Sequence, residues 1–121
     1  MDRVVHFEIT ADDPQRAAEF YRKAFGWTFQ AMPGRFTYLL ATTGKDKAGI
    51  DGAIMGRTEM KQSVINTIAV DDFEASVKAV IAAGGQMVQE KHAIPGVGWS
   101  AYAKDTEGNV FGIYKDDPQA K

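Results

Sequence analysis

Val5-His6-Phe7-Glu8-Ile9-Thr10-Ala11-Asp12-Asp13 lies over Val64-Ile65-Asn66-Thr67-Ile68-Ala69-Val70-Asp71-Asp72, and the alignment runs on without a gap to set Gly26 over Gly85 and Gln30 over Gln89. Few residues are identical. The match is one of pattern: a strand, paired acids, a helix, a glycine stop and further strands, which is how a duplicated supersecondary unit reads. Val5, Phe7 and Ile9 alternate with His6, Glu8 and Thr10, the period of two expected of a strand with one face against a helix. Asp13 then offers a side-chain acceptor as N-cap and Pro14 fills the first helical position, where its missing N–H costs nothing. Ala17, Phe20, Tyr21, Ala24 and Phe25 form one apolar stripe at helical spacing, and Gly26 ends it.

Working outward, Trp27 to Ala31, Arg35 to Thr43 and Gly49 to Arg57 read as strands separated by Pro33-Gly34 and by the polar stretch 43–47. Residues 58–63 are the expected connector. The order then repeats: Val64 to Val70 as strand, Phe73 to Ala83 as helix, Gly84-Gly85 as stop, then Gln86 to Lys91, Gly98 to Lys104 and Asn109 to Lys115 as strands. Asp105 to Asn109 has the acids, glycine and asparagine of a tight turn. The expected architecture is α+β: two tandem βαβββ modules, residues 1–57 and 64–117, within one domain spanning 1–121. Each module leaves one sheet face without a helix. Pairing the modules, within one chain or between two, gives a curved, cup-like mixed sheet of eight strands with helices outside.

Composition narrows the chemistry. The chain has 121 residues, 45% hydrophobic and 25% charged, the profile of an ordinary globular domain. With no cysteine, thiol nucleophiles, iron-sulfur clusters and cysteine-ligated zinc are excluded. A formal charge of -2 supplies no net positive field for nucleic acid or an anionic membrane surface. The first residues carry an acid where a secretory signal has bases, and no apolar run approaches the roughly 20 residues of a membrane helix. The expected location is cytoplasmic.

The stretch His6 to Asp13, the helix reading Ala18-Glu19-Phe20-Tyr21 and ending Phe25-Gly26-Trp27, and Asp105-Thr106-Glu107-Gly108-Asn109 before the last strand together resemble the vicinal oxygen chelate superfamily. That group contains glyoxalases, extradiol dioxygenases, fosfomycin-resistance transferases and bleomycin-binding proteins. The loop Ala93 to Trp99 looks like a subgroup known only as glyoxalase-like. In its metal-dependent members the first and last strands of each module supply ligands. The resemblance carries this pattern onto His6 and, within a residue or two, Asp51, but onto Ile65 and Gly112 in the second module. Neither of the latter can bind an ion. No cofactor and no tightly bound metal are therefore expected; an open site of His6 with Glu8 or Asp51 is the only plausible form.

Within the chain itself, His6 and Glu8 share the face opposite Phe7 and form its sharpest constellation. A histidine and a carboxylate are the minimum for proton transfer, so both are candidate catalytic residues; the alternative is that they simply satisfy one another. Tyr102 and Tyr114 alternate away from Ala101, Ala103, Phe111 and Ile113, and the resemblance gives Tyr102 a substrate-contacting role. Tyr38, with Phe36 beside it, extends an aromatic lining, and Asp51 and Thr67 complete the expected ligand-binding set. Trp99 is expected on the helix side. The loop with Gly96 and Gly98 reads as a flap or, more simply, an ordinary turn. Arg16, Arg22 and Lys23 read as a solvated helix face and His92 as a lone loop histidine. The expected function is metal-independent binding of a small aromatic or hydrophobic molecule; the alternative is a lyase, isomerase or hydrolase using His6 as base. A structural or regulatory partner domain is the third class. A homodimer is expected in each case.

Overall fold

The computed structural model describes residues 2–57 and 61–121, so residues 58–60 of the expected connector lie outside it. The chain divides into two compact units, residues 6–65 and residues 66–121 with the first five. Each is α+β, and the element order repeats as the sequence pattern requires.

In the first unit, strand β1 (Arg3–Ala11) leads into helix α1 (Pro14–Phe25), followed by β2 (Thr28–Ala31), β3 (Tyr38–Thr42) and β4 (Asp51–Gly56). The sheet order is β2-β3-β4-β1, with β1 parallel to β4 and the other pairs antiparallel. The helix ends fall where local chemistry sets them. Asp13 accepts a hydrogen bond from the Arg16 N–H at 3.1 Å, and Gly26 adopts φ 75°, left-handed backbone that a side chain disfavours. Ala11, Ala18, Leu39 and Ile54 form the core beneath the helix, with Ile9, Ala17, Tyr21 and Phe29 packed around it.

The expected apolar stripe of α1 is corrected on one edge. Phe20 and Phe25 are 58% and 68% exposed, and Ala24 is exposed too. Helical spacing groups them with Tyr21, but only the sector centred on Ala18 and Tyr21 meets the sheet. The two phenylalanines instead form an outer aromatic run with Tyr21 and Trp27.

In the second unit, β5 (Val64–Ala69) and α2 (Phe73–Ala82) precede β6 (Gln86–Met87), β7 (His92–Ile94), β8 (Gly98–Lys104) and β9 (Val110–Asp116). Here the order is β5-β9-β8-β6, with β7 also on β8 and β5 parallel to β9. Asp72 caps α2 as Asp13 caps α1, accepting from the Ala75 N–H. Val70, Phe73, Ala101 and Ile113 make the core, with Trp99 packed on this side as expected.

The described residues contain nine strands rather than eight, because the expected strand 86–91 is broken. After Met87, the Gln89 side chain takes the hydrogen bond of the Tyr102 N–H, at 3.0 Å, and the ladder resumes only at β7. His92 therefore sits on a strand. The 95–97 segment is the turn of the β7–β8 hairpin, and Gly98 is no hinge: it is buried, and a Cβ there would collide with the Lys115 carbonyl and the Tyr114 ring. Among the described residues no helix is long and apolar enough to cross a membrane.

Candidate functional site

Strand alternation in the first unit puts Phe7, Ile9 and Ala11 toward the helix and His6, Glu8 and Thr10 on the other face. Register then decides their neighbours. In the β1–β4 pair His6 stands opposite Asp51, Glu8 opposite Ala53 and Thr10 opposite Met55; across β3, Met55 stands opposite Tyr38. The Tyr38 side chain, on β3, reaches across β4 to β1.

The result is a three-membered chain. Tyr38 Oη donates to Glu8 Oε2 at 2.6 Å and lies 2.8 Å from His6 Nε2. A phenol has one proton, and Glu8 receives it, so the second contact requires an N–H at His6 Nε2. Nδ1 is then the ring's acceptor when the imidazole is neutral, and no described residue bonds to it. Burial holds the His6 pKa below its ordinary value of 6.5, against the opposing pull of the Glu8 and Asp51 carboxylates. Glu8 is only 5% exposed, whereas His6 and Tyr38 are half-buried and Asp51 is exposed. Access is therefore at the His6 end. The His6 and Tyr38 rings are nearly parallel, 13° apart with centroids 6.4 Å apart.

The other expected residues are less concentrated. Asp51 neighbours His6 but its Oδ1 accepts from the Thr43 N–H at 2.8 Å and from the Thr43 hydroxyl, closing the β3–β4 connection. Phe36 stands 79% exposed on the β2–β3 connection with the Arg35 guanidinium over its ring. In the second unit Thr67, Gly112 and Tyr102 stand in one row across β5, β9 and β8. Tyr114 is tied elsewhere: its hydroxyl bonds Asp116 at 2.7 Å and the Val97 carbonyl at 3.1 Å, and burial, then the Asp116 bond, push its pKa up to about 12. It serves the hairpin turn. The role of Tyr38 as bridge was not readable from sequence, since its only signal was an aromatic residue at the start of a strand.

A divalent ion of the kind the resemblance implies does not fit these residues. His6 Nε2 and Glu8 are committed to Tyr38, Asp51 to Thr43, Ile65 is apolar and Gly112 has no side chain. Among the described residues no three His, Cys, Asp or Glu side chains converge as a metal-binding group.

Tandem βαβββ units with a polar cluster on the helix-free face of the first define a class, and comparison places the chain in it. Residues 5–114 match the model of the glyoxalase-like domain family, and the chain belongs to that family, within the vicinal oxygen chelate superfamily. A glyoxylase-like domain-containing protein of Didymella fabae is 34% identical over 113 residues, covering 88% of each chain. The Mycobacterium tuberculosis protein CFP32, whose name assigns it provisionally as a glyoxylase, is 31% identical over 113 residues; the present chain spans 43% of its length. Among solved structures, a hypothetical protein from Bacillus halodurans C-125 superposes with a TM-score of 0.72 at 14% identity, over 99% of this chain and 98% of that one. Methylmalonyl-CoA epimerase from Mycobacterium tuberculosis gives 0.71 at 16% identity, over 95% and 88%. These two likenesses concern the fold.

Proposed function

We propose that the protein binds a small aromatic or hydrophobic molecule on the helix-free face of its sheets, held by hydrogen bonds and ring contacts without a tightly bound metal ion. The carrying observation is the His6–Tyr38–Glu8 chain. Three polar groups from two strands satisfy one another where the family's first ligand would stand, and they leave one imidazole nitrogen and two nearly parallel rings at the accessible end. A flat ligand with one polar group suits that surface. His6, Glu8, Tyr38 and Asp51 would contact it in the first unit, with Thr67 and Tyr102 offering a second polar patch.

Calorimetry against bleomycin-like compounds, aromatic metabolites and flavins tests this. A saturable binder is expected, weakened about tenfold by Tyr38→Phe, the loss of one good hydrogen bond. A panel without any binder overturns the reading. Calorimetry is preferable to tryptophan fluorescence, because Trp27 packs on Tyr21 and Phe7, and Trp99 packs in the α2 core, both on helix sides.

A second reading has its own observation. With its pKa lowered by burial, His6 is neutral near pH 7 and Nδ1 can accept a proton, as a lyase, isomerase or hydrolase of an oxygenated small molecule would need. Glu8 or Asp51 would be its partner. Turnover of methylglyoxal hemithioacetal and of methylmalonyl-CoA, with and without nickel, zinc or manganese, should then be lost in His6→Ala. Activity that survives that substitution removes His6 as base. Under either reading we expect a homodimer, checked by light scattering at micromolar concentration, where a monomer would refute it.

A further inference from the structure

The break in the edge strand of the second unit leaves a groove on the helix side of the sheet. β6 ends at Met87 and β7 begins at His92, and between the intervening segment and α2 lies an open cavity of about 390 Å³, within the size range of small-molecule sites. Its floor is apolar, made by Phe73 and Val77 of α2 and Met87 of β6. None of the residues assigned above to ligand binding lines it. Lys91 supplies the one charge held in place against that floor. Its Nζ lies 4.5 Å from the Trp99 ring centroid and 5.4 Å from that of Phe73, and donates to Glu74 Oε1 at 2.7 Å. Trp99 is fixed in turn, its Nε1 donating to Asp117 at 3.0 Å. Of the ion pair, the lysine side chain is the more enclosed, 34% exposed against 67% for Glu74, so the ammonium faces the rings while the carboxylate stands out toward water. The other charges lining the groove, Lys78 and Glu90, are exposed, opposite in sign and held by no ion pair among the described residues.

We propose that this groove binds a small apolar carboxylate, with its hydrocarbon body on Phe73, Val77 and Met87 and its carboxylate on the Lys91 ammonium. Glu74 takes one of the three ammonium N–H groups, which leaves donors for a second anion. A charge already held by two rings and a carboxylate is engaged without further ordering. Lys78 and Glu90 would each have to be immobilised on binding, so the sign the groove reads is set by Lys91. The site is independent of the helix-free face and of the function proposed for it.

Hexanoate, hexanol and hexylammonium carry similar alkyl bodies and differ in charge; they are the probes, titrated by protein-observed NMR with the full chain. Hexanoate should bind about tenfold tighter than hexanol, with hexylammonium weakest, and should shift the resonances of Val77, Met87 and Lys91. Lys91→Met, which keeps an apolar stem and removes the charge, should abolish that order. Equal binding of the three probes, an order that survives Lys91→Met, or no shift at these residues at millimolar hexanoate would each overturn the proposal. Shifts at the groove on concentrating the protein without a probe would overturn it too, since a second copy would then cover the floor. Should circular dichroism show that Lys91→Met fails to fold, Glu74→Gln decides: freed of its carboxylate, the ammonium should hold hexanoate several-fold tighter, and unchanged or weaker binding overturns the proposal.

Discussion

The two units repeat one element order but treat their helix-free faces differently. In the first, polar side chains are bound to one another or to backbone: His6, Tyr38 and Glu8 form a chain, and the Thr10 hydroxyl donates to the Gln62 carbonyl at 2.7 Å. In the second, the corresponding row holds Thr67 and Gly112, one short hydroxyl side chain beside a position without a side chain. Their helices differ as well. The second buries Phe73 at 2% exposure, whereas the first buries Ala18 and leaves Phe20 and Phe25 outside. A duplicated scaffold thus keeps its caps and strand order, while each copy sets its own core volume and its own polar surface.

The largest test of that contrast is in the helices. Phe73→Ala should cost about 3–5 kcal/mol, because it removes the aromatic centre of the second core and leaves a cavity. Phe20→Ala and Phe25→Ala should each cost less than about 0.5 kcal/mol, as exposed positions do. Urea denaturation measures all three. Comparable losses at Phe20 or Phe25 would mean that the outer aromatic run is a packed surface, and the contrast between the helices would fail.

A smaller effect separates the polar faces. Tyr38→Phe deletes one hydroxyl and with it one hydrogen bond each at His6 Nε2 and at the nearly buried Glu8 carboxylate, so a loss of about 1–3 kcal/mol is expected. Thr67→Val also deletes one hydroxyl but breaks no hydrogen bond between described residues, and its stability should stay within about 0.5 kcal/mol of the parent. If the two substitutions cost the same, the first face is no more tightly bonded than the second.

Much of this was legible from particular residues. Asp13-Pro14 and Gly26 fixed the ends of α1 because capping is local, and alternation along β1 put His6 and Glu8 on the correct face for the same reason. What depended on distant partners was not. The break at Gln89 arises because one side chain competes for the Tyr102 N–H, and no pattern of hydrophobicity records such a competition. The exposure of Phe20 and Phe25 depends on how wide a sector of α1 the sheet covers. Of the candidate residues, Tyr38 was expected near His6 and Glu8 only as a lining ring; its bridging position follows from the register of three strands. Tyr114 lies on the same face as Tyr102, as alternation predicts, but Val97 and Asp116 hold its hydroxyl at the hairpin, which alternation does not record.

The least disruptive way to sharpen the comparison is pH, since it acts on the first face through His6 without changing a side chain. An unfolded chain titrates His6 near 6.5, and the folded chain does so lower, because burial outweighs the nearby Glu8 and Asp51 carboxylates. Between those two values the unfolded state holds a proton that the folded state lacks, so stability rises with pH. The penalty is absent well above 6.5, grows as pH falls through 6.5, and levels off once the folded imidazole is also protonated. Urea midpoints of the parent and His6→Gln, compared between about pH 7.5 and 5.5, isolate this contribution from that of every other group. The parent should lose stability on acidification relative to His6→Gln. Glu8→Gln should enlarge the loss, since it removes a carboxylate that favours the imidazolium. Parallel curves for parent and His6→Gln would show that burial and the two carboxylates cancel at His6, and burial would no longer set its protonation.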